Sequence, residues 1–408
     1  MPSTNIVAWA ANGSIRRSLQ QPHPGRLRFI LTALAVHGAE VTQVGVSGVP
    51  DVPNGAIDED SHVPASANGH GLRVLSRVIV DTYNEELRDE EGFVGDRASG
   101  RAFSAILDDW RDRVASTLDE DPFGDTPTGS ISKSTLDKLL TGNDTVAAGL
   151  VHTAVEEFAH ELATVVRRFL RLEGWRGTQR IVIGGGLSSS QIGQLAMGRA
   201  QILLAGEGTA LELFPISSHP DEAGLIGAAE LAPDSMLAEH DTIVAADIGG
   251  TNLRVGIVRI GRRGGGAKGA VWKMEHWCHR DDDPTRDQAV RRLVEMTTKL
   301  VERAVAANLD LAPFMGIGCP GLIDEQGAIL NGGQNLPGNW QEDGFNLVAA
   351  LSRSLPPIGG RKPLVAVHND AVVQGLSELS GMTDVERWGV LTIGTGLGNA
   401  RFTNRSAE

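Results

Sequence analysis

Glycine-rich segments that directly follow short apolar stretches constrain this sequence more than any other feature. The clearest follows the apolar run 243–246, where Asp247-Ile-Gly-Gly-Thr-Asn252 leads into apolar residues that alternate at 253, 255 and 257. This pattern predicts two antiparallel strands joined by a polar turn, called here the first turn (247–252). Glycine leaves no side chain in the way of a ligand, so backbone N–H groups in this turn are suited to a phosphate chain.

Two further segments have the same arrangement. The second turn (394–398) and the third turn (184–186) each follow a predicted apolar strand, and a helix capped by Ser188 or Ser189 is expected after the third. Each segment alone is equally typical of a tight turn, whereas together they indicate a nucleotide site. The residues predicted to bind phosphates and adenosine are Asp247, Gly249, Gly250, Thr251, Asn252, Gly394, Thr395, Gly396, Gly398, Gly184, Gly185 and Gly186.

Phosphoryl transfer to an alcohol needs a group that accepts the proton of the attacking hydroxyl. Asp370 stands where a predicted strand meets a helix, and it lies in the sequence between the first and second turns. An aspartate there is also typical of a helix cap, but its place between two phosphate-type turns favours a catalytic base. Asp247, at the end of its strand, is predicted to hold Mg²⁺ through water.

The sequence also contains candidate residues for binding the phosphoryl acceptor. The Pro320-Gly321 turn presents backbone to a ligand, although the dipeptide is also common in loops. The polar segment 331–340 contains Asn335, Asn339 and Trp340, whose amides suit sugar hydroxyls and whose indole suits a sugar face. These residue types favour a neutral polyol as the acceptor.

The overall charge and composition exclude other classes of protein. Lys and Arg number 37 against 51 Asp and Glu, a formal net charge of -14, which argues against a nucleic-acid binder. Two cysteines are too few for a disulfide framework, so a reducing, cytoplasmic setting is expected. The first 20 residues lack a signal-peptide pattern, and no apolar run approaches the roughly 20 residues that span a bilayer. We expect a soluble protein that binds neither nucleic acid nor membrane.

Hydrophobic spacing indicates several local elements. It predicts helices over 72–87, 102–118 and 152–172, and residues 232–240 are interpreted as a linker. The segment before residue 74 gives no clear pattern.

Taken together, these motifs resemble those of the ROK family of sugar kinases, within the actin-like ATPase superfamily. The resemblance covers roughly residues 74–402 and implies an α/β fold of the ribonuclease H-like type, with two lobes and a cleft between them. The matching stretches are 247–254 (DIGGTNLR), 316–321 (GIGCPG), 335–340 (NLPGNW), Asn369-Asp370, 394–398 (GTGLG), 184–186 (GGG), 98–100 (ASG) and 223–229 (AGLIGAA).

The resemblance also implies roles for individual residues. Asp370 would take the proton from a sugar hydroxyl, and Asn369 would bind that sugar together with Pro320, Gly321 and Asn335. ATP and Mg²⁺ would be held by the first and second turns, with the third turn at the adenosine. A homodimer is expected by the same resemblance.

Two departures from the family pattern change the expectations. The third turn and segment 223–229 come last in the usual family order, but here they precede Asp247, which predicts a circularly permuted chain. Exchange of segments between two subunits would also satisfy this order. The family's zinc motif is absent, and the cluster of His and Cys at 276–279 is too crowded for a tetrahedral site, so no structural zinc is expected.

The predicted organisation has four segments. Residues 1–73 are an uncertain N-terminal segment assigned to the larger lobe, and 74–232 form a larger-lobe portion with the adenosine turn. Residues 241–380 form the smaller lobe with the first turn and the sugar and base residues. Residues 386–408 carry the second turn back to the larger lobe.

The leading hypothesis is an ATP-dependent, glucokinase-like hexose kinase with Asp370 as general base. The alternative is a catalytically inactive, sugar-sensing or regulatory ROK-like protein, because Gly95-Asp96-Arg97 stands where family members have a glutamate before Ala-Ser-Gly. A third hypothesis, an actin-like ATPase or phosphatase without a sugar, is disfavoured by Asn369-Asp370 and by segment 335–340.

Overall fold

Two five-stranded sheets organise the part of the chain that the computed structural model describes, which is residues 70–90, 92–118, 121–260, 269–342, 344–394 and 396–405. Most of the N-terminal segment predicted over 1–73, and Thr395 of the second turn, lie outside these residues. The strands are β1 (Val78–Tyr83), β2 (Arg88–Asp89), β3 (Gly92–Phe93), β4 (Arg180–Gly184), β5 (Glu212–Pro215), β6 (Thr242–Ile248), β7 (Asn252–Arg259), β8 (Ala270–Cys278), β9 (Leu311–Cys319), β10 (Leu322–Ile323), β11 (Ile329–Asn331), β12 (Leu364–Asn369), β13 (Arg387–Ile393) and β14 (Leu397–Asn404).

The two sheets have the same topology. The first has the order β5-β4-β13-β14-β1 and the second β12-β9-β6-β7-β8. In each, three neighbouring strands are parallel and the last two are added antiparallel. The strands of the second sheet follow one another along the chain as β6, β7, β8, β9 and β12. The strands at the matching positions of the first sheet are β13, β14, β1, β4 and β5.

The chain passes between the two sheets through helices. The helices are α1 (Gly100–Leu118), α2 (Lys133–Leu140), α3 (Thr145–Arg171), α4 (Gln191–Gly206), α5 (Pro220–Ala229), α6 (Asp234–Glu239), α7 (Arg286–Ala306), α8 (Leu347–Ser354) and α9 (Asp370–Leu376). One apolar core joins α1, α3 and α4 to the first sheet, and another joins α7 and α8 to the second. A third core holds α5 and α9 between the sheets, and β6 and β9 are buried along their whole length because both faces are covered.

Glycine lets α5 lie directly against its neighbours. A Cβ built on Gly227 would lie 1.6 Å from the carbonyl oxygen of Val373 in α9, and one built on Gly316 in β9 would lie 1.9 Å from that of Ala228. No side chain fits at such distances, so the AGLIGAA segment forms the contact between α5 and both of these elements.

Local expectations from the sequence met different outcomes. The helices predicted over 102–118 and 152–172 are confirmed as α1 and the C-terminal part of α3. The helix predicted over 72–87 is wrong, because Val78 and Val80 alternate into the core as part of strand β1, and β-branched residues favour that conformation. The linker predicted over 232–240 contains the short helix α6.

Within the described residues, no helix combines the length and the apolar character needed to cross a membrane.

Candidate functional site

The first turn connects β6 to β7 with a closed backbone. The N–H of Gly249 donates to the carbonyl oxygen of Asn252 at 2.8 Å. Among the described residues, no acceptor faces the N–H of Gly250 or of Thr251, and both residues are partly exposed. Adjacent backbone donors of this kind are groups from which an anion can accept hydrogen bonds.

A short 3-10 helix at His279–Asp281 supports the first turn from outside. The buried ring of His279 donates from Nε2 to the carbonyl oxygen of Gly249 at 2.8 Å, and Arg280 donates to Oγ1 of Thr251 at 2.5 Å. The ring of His276 lies 2.8 Å from Oδ1 of Asn252. Since Oγ1 of Thr251 accepts from Arg280, its own hydrogen is left to donate to another group.

Asp247 is buried at the end of β6, directly opposite Arg254 on β7. Its Oδ2 lies 3.2 Å from Nη1 of Arg254, whose Nη2 lies 2.6 Å from Asp221. Burial raises the pKa of the Asp247 carboxyl, and the Arg254 guanidinium opposes that rise. The other oxygen, Oδ1, faces Gly224 of α5, where a Cβ would lie only 2.7 Å away.

Asn369, and not Asp370, caps helix α9. Its Oδ1 accepts from the backbone N–H groups of Ala371 and Val372, and its Nδ2 donates to the carbonyl oxygen of Gly321 at 2.9 Å. Asn369 is 1% exposed, so it acts as a positioning residue that ties the loop after β9 to the start of α9. The role of Asn369 as a direct sugar ligand stays a prediction.

Asp370 is the first residue of α9 and is partly exposed to solvent. Its Oδ1 accepts from the backbone N–H of Ala371 at 2.9 Å. Burial of this carboxyl, and to a lesser extent the negative charge of Asp247, raises its pKa to about 6. A carboxyl with a pKa near neutrality is suited to accept a proton under physiological conditions.

The first two turns of α9 contact both of the other glycine-rich turns. A Cβ built on Gly398 would lie 3.3 Å from Cβ of Ala371, and one built on Gly184 would lie 3.1 Å from Oε1 of Gln374. The N–H of Gly394 donates to the carbonyl oxygen of Gly396 at 2.9 Å, which closes the second turn. The structure therefore brings Asp370 and all three turns to one place.

The third turn lies against the second. A Cβ built on Gly185 would lie 2.2 Å from the carbonyl oxygen of Ile393, and Thr392 pairs with Gly184 in the parallel strands β13 and β4. The helix after this turn begins at Gln191 with Ser190 as its cap, so the caps predicted at Ser188 or Ser189 are wrong. Those two hydroxyls instead donate to carbonyl oxygens within the turn itself.

Two backbone N–H groups at the N-terminus of α4 donate to side chains of the protein. Oγ of Ser190 accepts from the N–H of Gly193, and Oδ1 of Asp137 in α2 accepts from the N–H of Ile192 at 3.0 Å. A carboxylate at this position complements the helix dipole. The dipole of α4 is therefore partly balanced by the Asp137 carboxylate.

Only some of the residues predicted to bind the phosphoryl acceptor are exposed to solvent. The exposed Asn335 lies against the first turn, since a Cβ built on Gly250 would be 2.8 Å from Cβ of Asn335. Gly321 has φ of +104°, and its Cα packs on the backbone of Gly332, while Pro320 is partly exposed at the end of β9.

Trp340 does not provide a sugar-stacking face. It is 1% exposed in the core beneath the second sheet, and its indole N–H donates to the carbonyl oxygen of Pro337 at 2.7 Å. Oδ1 of Asn339 accepts from the N–H of Gln341 and caps a turn. The stacking role predicted for this indole is wrong, because the ring supplies apolar area that the core requires.

Several residues of this region were missed in the sequence. Arg254 had a usable signal, because a hairpin closed at 249–252 places residue 254 opposite Asp247. His279 and Arg280 follow strand β8, and only the register of β8 beside β7 brings them to the first turn. The cluster of His and Cys at 276–279 includes His279 but did not indicate a role at the first turn, and no local pattern indicated Arg280.

Comparisons with known proteins give partial likenesses. No protein-family profile and no curated protein matches the chain. Among solved structures, similar ones include a proposed N-acetylmannosamine kinase from Listeria monocytogenes (27% identity, TM-score 0.28), covering 40% of this chain and 47% of that one. A ROK hexokinase from Thermus thermophilus (24%, 0.29) covers 39% and 45%, and a proposed sugar kinase from Cytophaga hutchinsonii (20%, 0.29) covers 40% and 48%. The chain thus matches less than half the length of each of these proteins.

Proposed function

We propose that this protein transfers the γ-phosphoryl group of ATP to a hydroxyl of a hexose. One observation carries the proposal: the start of α9 presents Asp370 beside Asp247 while touching the second and third glycine-rich turns. A base and three turns suited to phosphate or nucleotide thus share one end of the two sheets.

The proposed reaction is an in-line displacement. The sugar oxygen forms a bond to the γ-phosphorus, the bond from that phosphorus to the β–γ bridging oxygen breaks, and ADP leaves. Asp370 accepts the proton of the hydroxyl. The unpaired N–H groups of Gly250 and Thr251 face the phosphate chain, where they stabilise negative charge.

The carboxylates here fit a magnesium ion carried by the nucleotide. Mg²⁺ keeps several waters and takes one or two protein carboxylates besides phosphate oxygens. Asp247 would hold it through water, as expected from its place at the end of β6, and the ion would neutralise phosphate charge when bound. The guanidinium of Arg254 holds the other oxygen and fixes the orientation of the carboxylate.

The test is ADP release measured with a panel of hexoses and N-acetylhexosamines. We expect release that depends on ATP, Mg²⁺ and one class of sugar. Sugar binding without turnover would contradict the proposal and favour the regulatory alternative. ADP release that no sugar accelerates would favour an ATPase.

We also propose that the chain order is a circular permutation of the actin-like arrangement. The equal topology of the two sheets supports this, because β14 is followed in space by β1, as β7 is followed by β8. Asn404 pairs with Val78, and the N–H of Arg405 donates to the carbonyl oxygen of Arg77 at 2.9 Å. A two-residue hairpin turn fits between residues 405 and 77.

A reconnected variant tests this proposal. It begins at Asp241, joins Arg405 to Arg77 through Asn-Gly, and ends at His240. We expect it to fold and to retain sugar phosphorylation within about tenfold of the parent, because a type I′ turn preserves the β14–β1 pairing. The far-ultraviolet circular dichroism spectrum, the unfolding midpoint and turnover are measured. An unfolded product would contradict the permutation, and a control with the same ends but a Pro-Pro join should fail to form this turn.

A further inference from the structure

We propose that Lys133, outside every motif recognised in the sequence, binds a phosphate oxygen of the nucleotide at the third turn. The inference rests on the proposed function and adds a residue that sets affinity for charged nucleotides. It starts from helix α2, which is anchored in the core by Leu136 and Leu140.

Helix α2 places its first residue over the third turn. A Cβ built on Gly186 would lie 2.7 Å from Nζ of Lys133, so the ammonium group rests on the open face of that glycine. Gly186 and Lys133 are both exposed, so a ligand can reach the turn and the ammonium group beside it. Any side chain at residue 186 would displace the ammonium.

The ammonium group has no anionic partner at contact distance. Within the described residues, no carboxylate lies within salt-bridge distance of Nζ of Lys133. The nearest opposite charge that acts on it is Asp137, one turn along α2, and that carboxylate is engaged with the N–H of Ile192. Burial of part of the lysine lowers its pKa, and Asp137 opposes this effect.

These facts together select an anion as the ligand. Asp137 and Ser190 already accept from two N–H groups at the N-terminus of α4, and the Asp137 carboxylate partly balances the helix dipole at the third turn. Lys133 supplies the positive charge there instead. A hydrogen bond between two charged groups is stronger than one to a ribose hydroxyl, so the Lys133 ammonium favours a phosphate oxygen.

The experiment measures binding of ADP, AMP and adenosine to the full chain by calorimetry. In Lys133→Gln we expect affinity for ADP and AMP to fall about 10- to 100-fold, while affinity for adenosine is unchanged. Lys133→Arg should retain part of the affinity, because the charge remains. Lys138→Gln, the second exposed lysine of the same helix, is the matched control and should bind like the parent.

Three results would overturn the inference. Lys133→Gln could bind ADP as tightly as the parent, or it could lose adenosine as strongly as ADP, which would indicate a contact to the nucleoside. Absence of ADP binding by the parent would remove both this inference and the proposed function. If the parent binds ADP but transfers nothing to any sugar, the proposed function fails alone and Lys133 is still tested by the comparison of ligands.

Discussion

Replacing Asp370 by asparagine is expected to lower the turnover number for sugar phosphorylation by about 100- to 10,000-fold. The amide keeps the shape of the side chain and the acceptor for the N–H of Ala371, but it cannot take a proton. Affinity for ATP and sugar should change little, because the glycine-rich turns are unaltered. Steady-state kinetics and calorimetry separate the two effects.

The matched control for this variant is Asp112→Asn on α1, an exposed carboxyl without a hydrogen-bond partner in the described residues. Its turnover should equal that of the parent. An Asp370→Asn variant that retains turnover within about tenfold would contradict the assignment of the base.

The same assignment predicts the acid side of the pH profile. Only the ionised carboxylate accepts a proton, and the pKa of Asp370 is raised to about 6. We therefore expect kcat/KM to fall about tenfold per pH unit below pH 6 and to level off above it. His368 does not account for such a limb, since burial lowers its pKa to about 4. A limb centred near the ordinary aspartate value, about 4, would contradict the environment described for Asp370.

Replacing Gly227 by alanine is expected to lower the free energy of unfolding by about 3 kcal/mol or more. The new Cβ would lie 1.6 Å from the carbonyl oxygen of Val373, which is backbone and cannot swing aside. Helices α5 and α9 would have to separate. This would move Gly224, which lies on Asp247, and shift the residues that follow Asp370. Activity should fall even where the variant still folds.

A glycine in open surroundings provides the control. Gly198 lies in α4 with no atom near the position of a Cβ, so Gly198→Ala should stabilise the protein by about 0.5–1 kcal/mol. Chemical unfolding of both variants and the parent measures the difference. Equal stability of Gly227→Ala and the parent would show that the α5–α9 contact tolerates a side chain.

Prediction from the sequence worked best for structures that are determined within one short segment. The first turn is an example, because an apolar strand, two glycines and a second apolar strand fix a hairpin locally. The third turn and the start of α9 were found for the same reason, since a strand ending in polar or glycine residues precedes a helix. The strand β1 was missed, because its apolar residues also fit a helical spacing and its partner β14 lies more than 300 residues away.

Side-chain roles were less predictable than backbone positions. From the sequence, the indole of Trp340 suits the face of a sugar, but in the structure it is buried in the core beneath the second sheet. Asp370 was ambiguous between cap and base, and the structure gives the cap to Asn369 instead. In both cases the backbone partner is close in sequence, but which side chain is buried or turned to the helix end is set by packing against the rest of the fold.

By itself, the sequence determined three glycine-rich turns, each at the end of a strand, and an acidic residue at the start of a helix, because turns, caps and hydrophobic periods act over a few residues. Long-range packing brings α9 against the second and third turns, places Asp247 where its charge raises the pKa of Asp370, and sets Lys133 on Gly186. These relations arise from two sheets that enclose α5 and α9. Distances between groups so far apart in the chain follow from packing and not from local sequence.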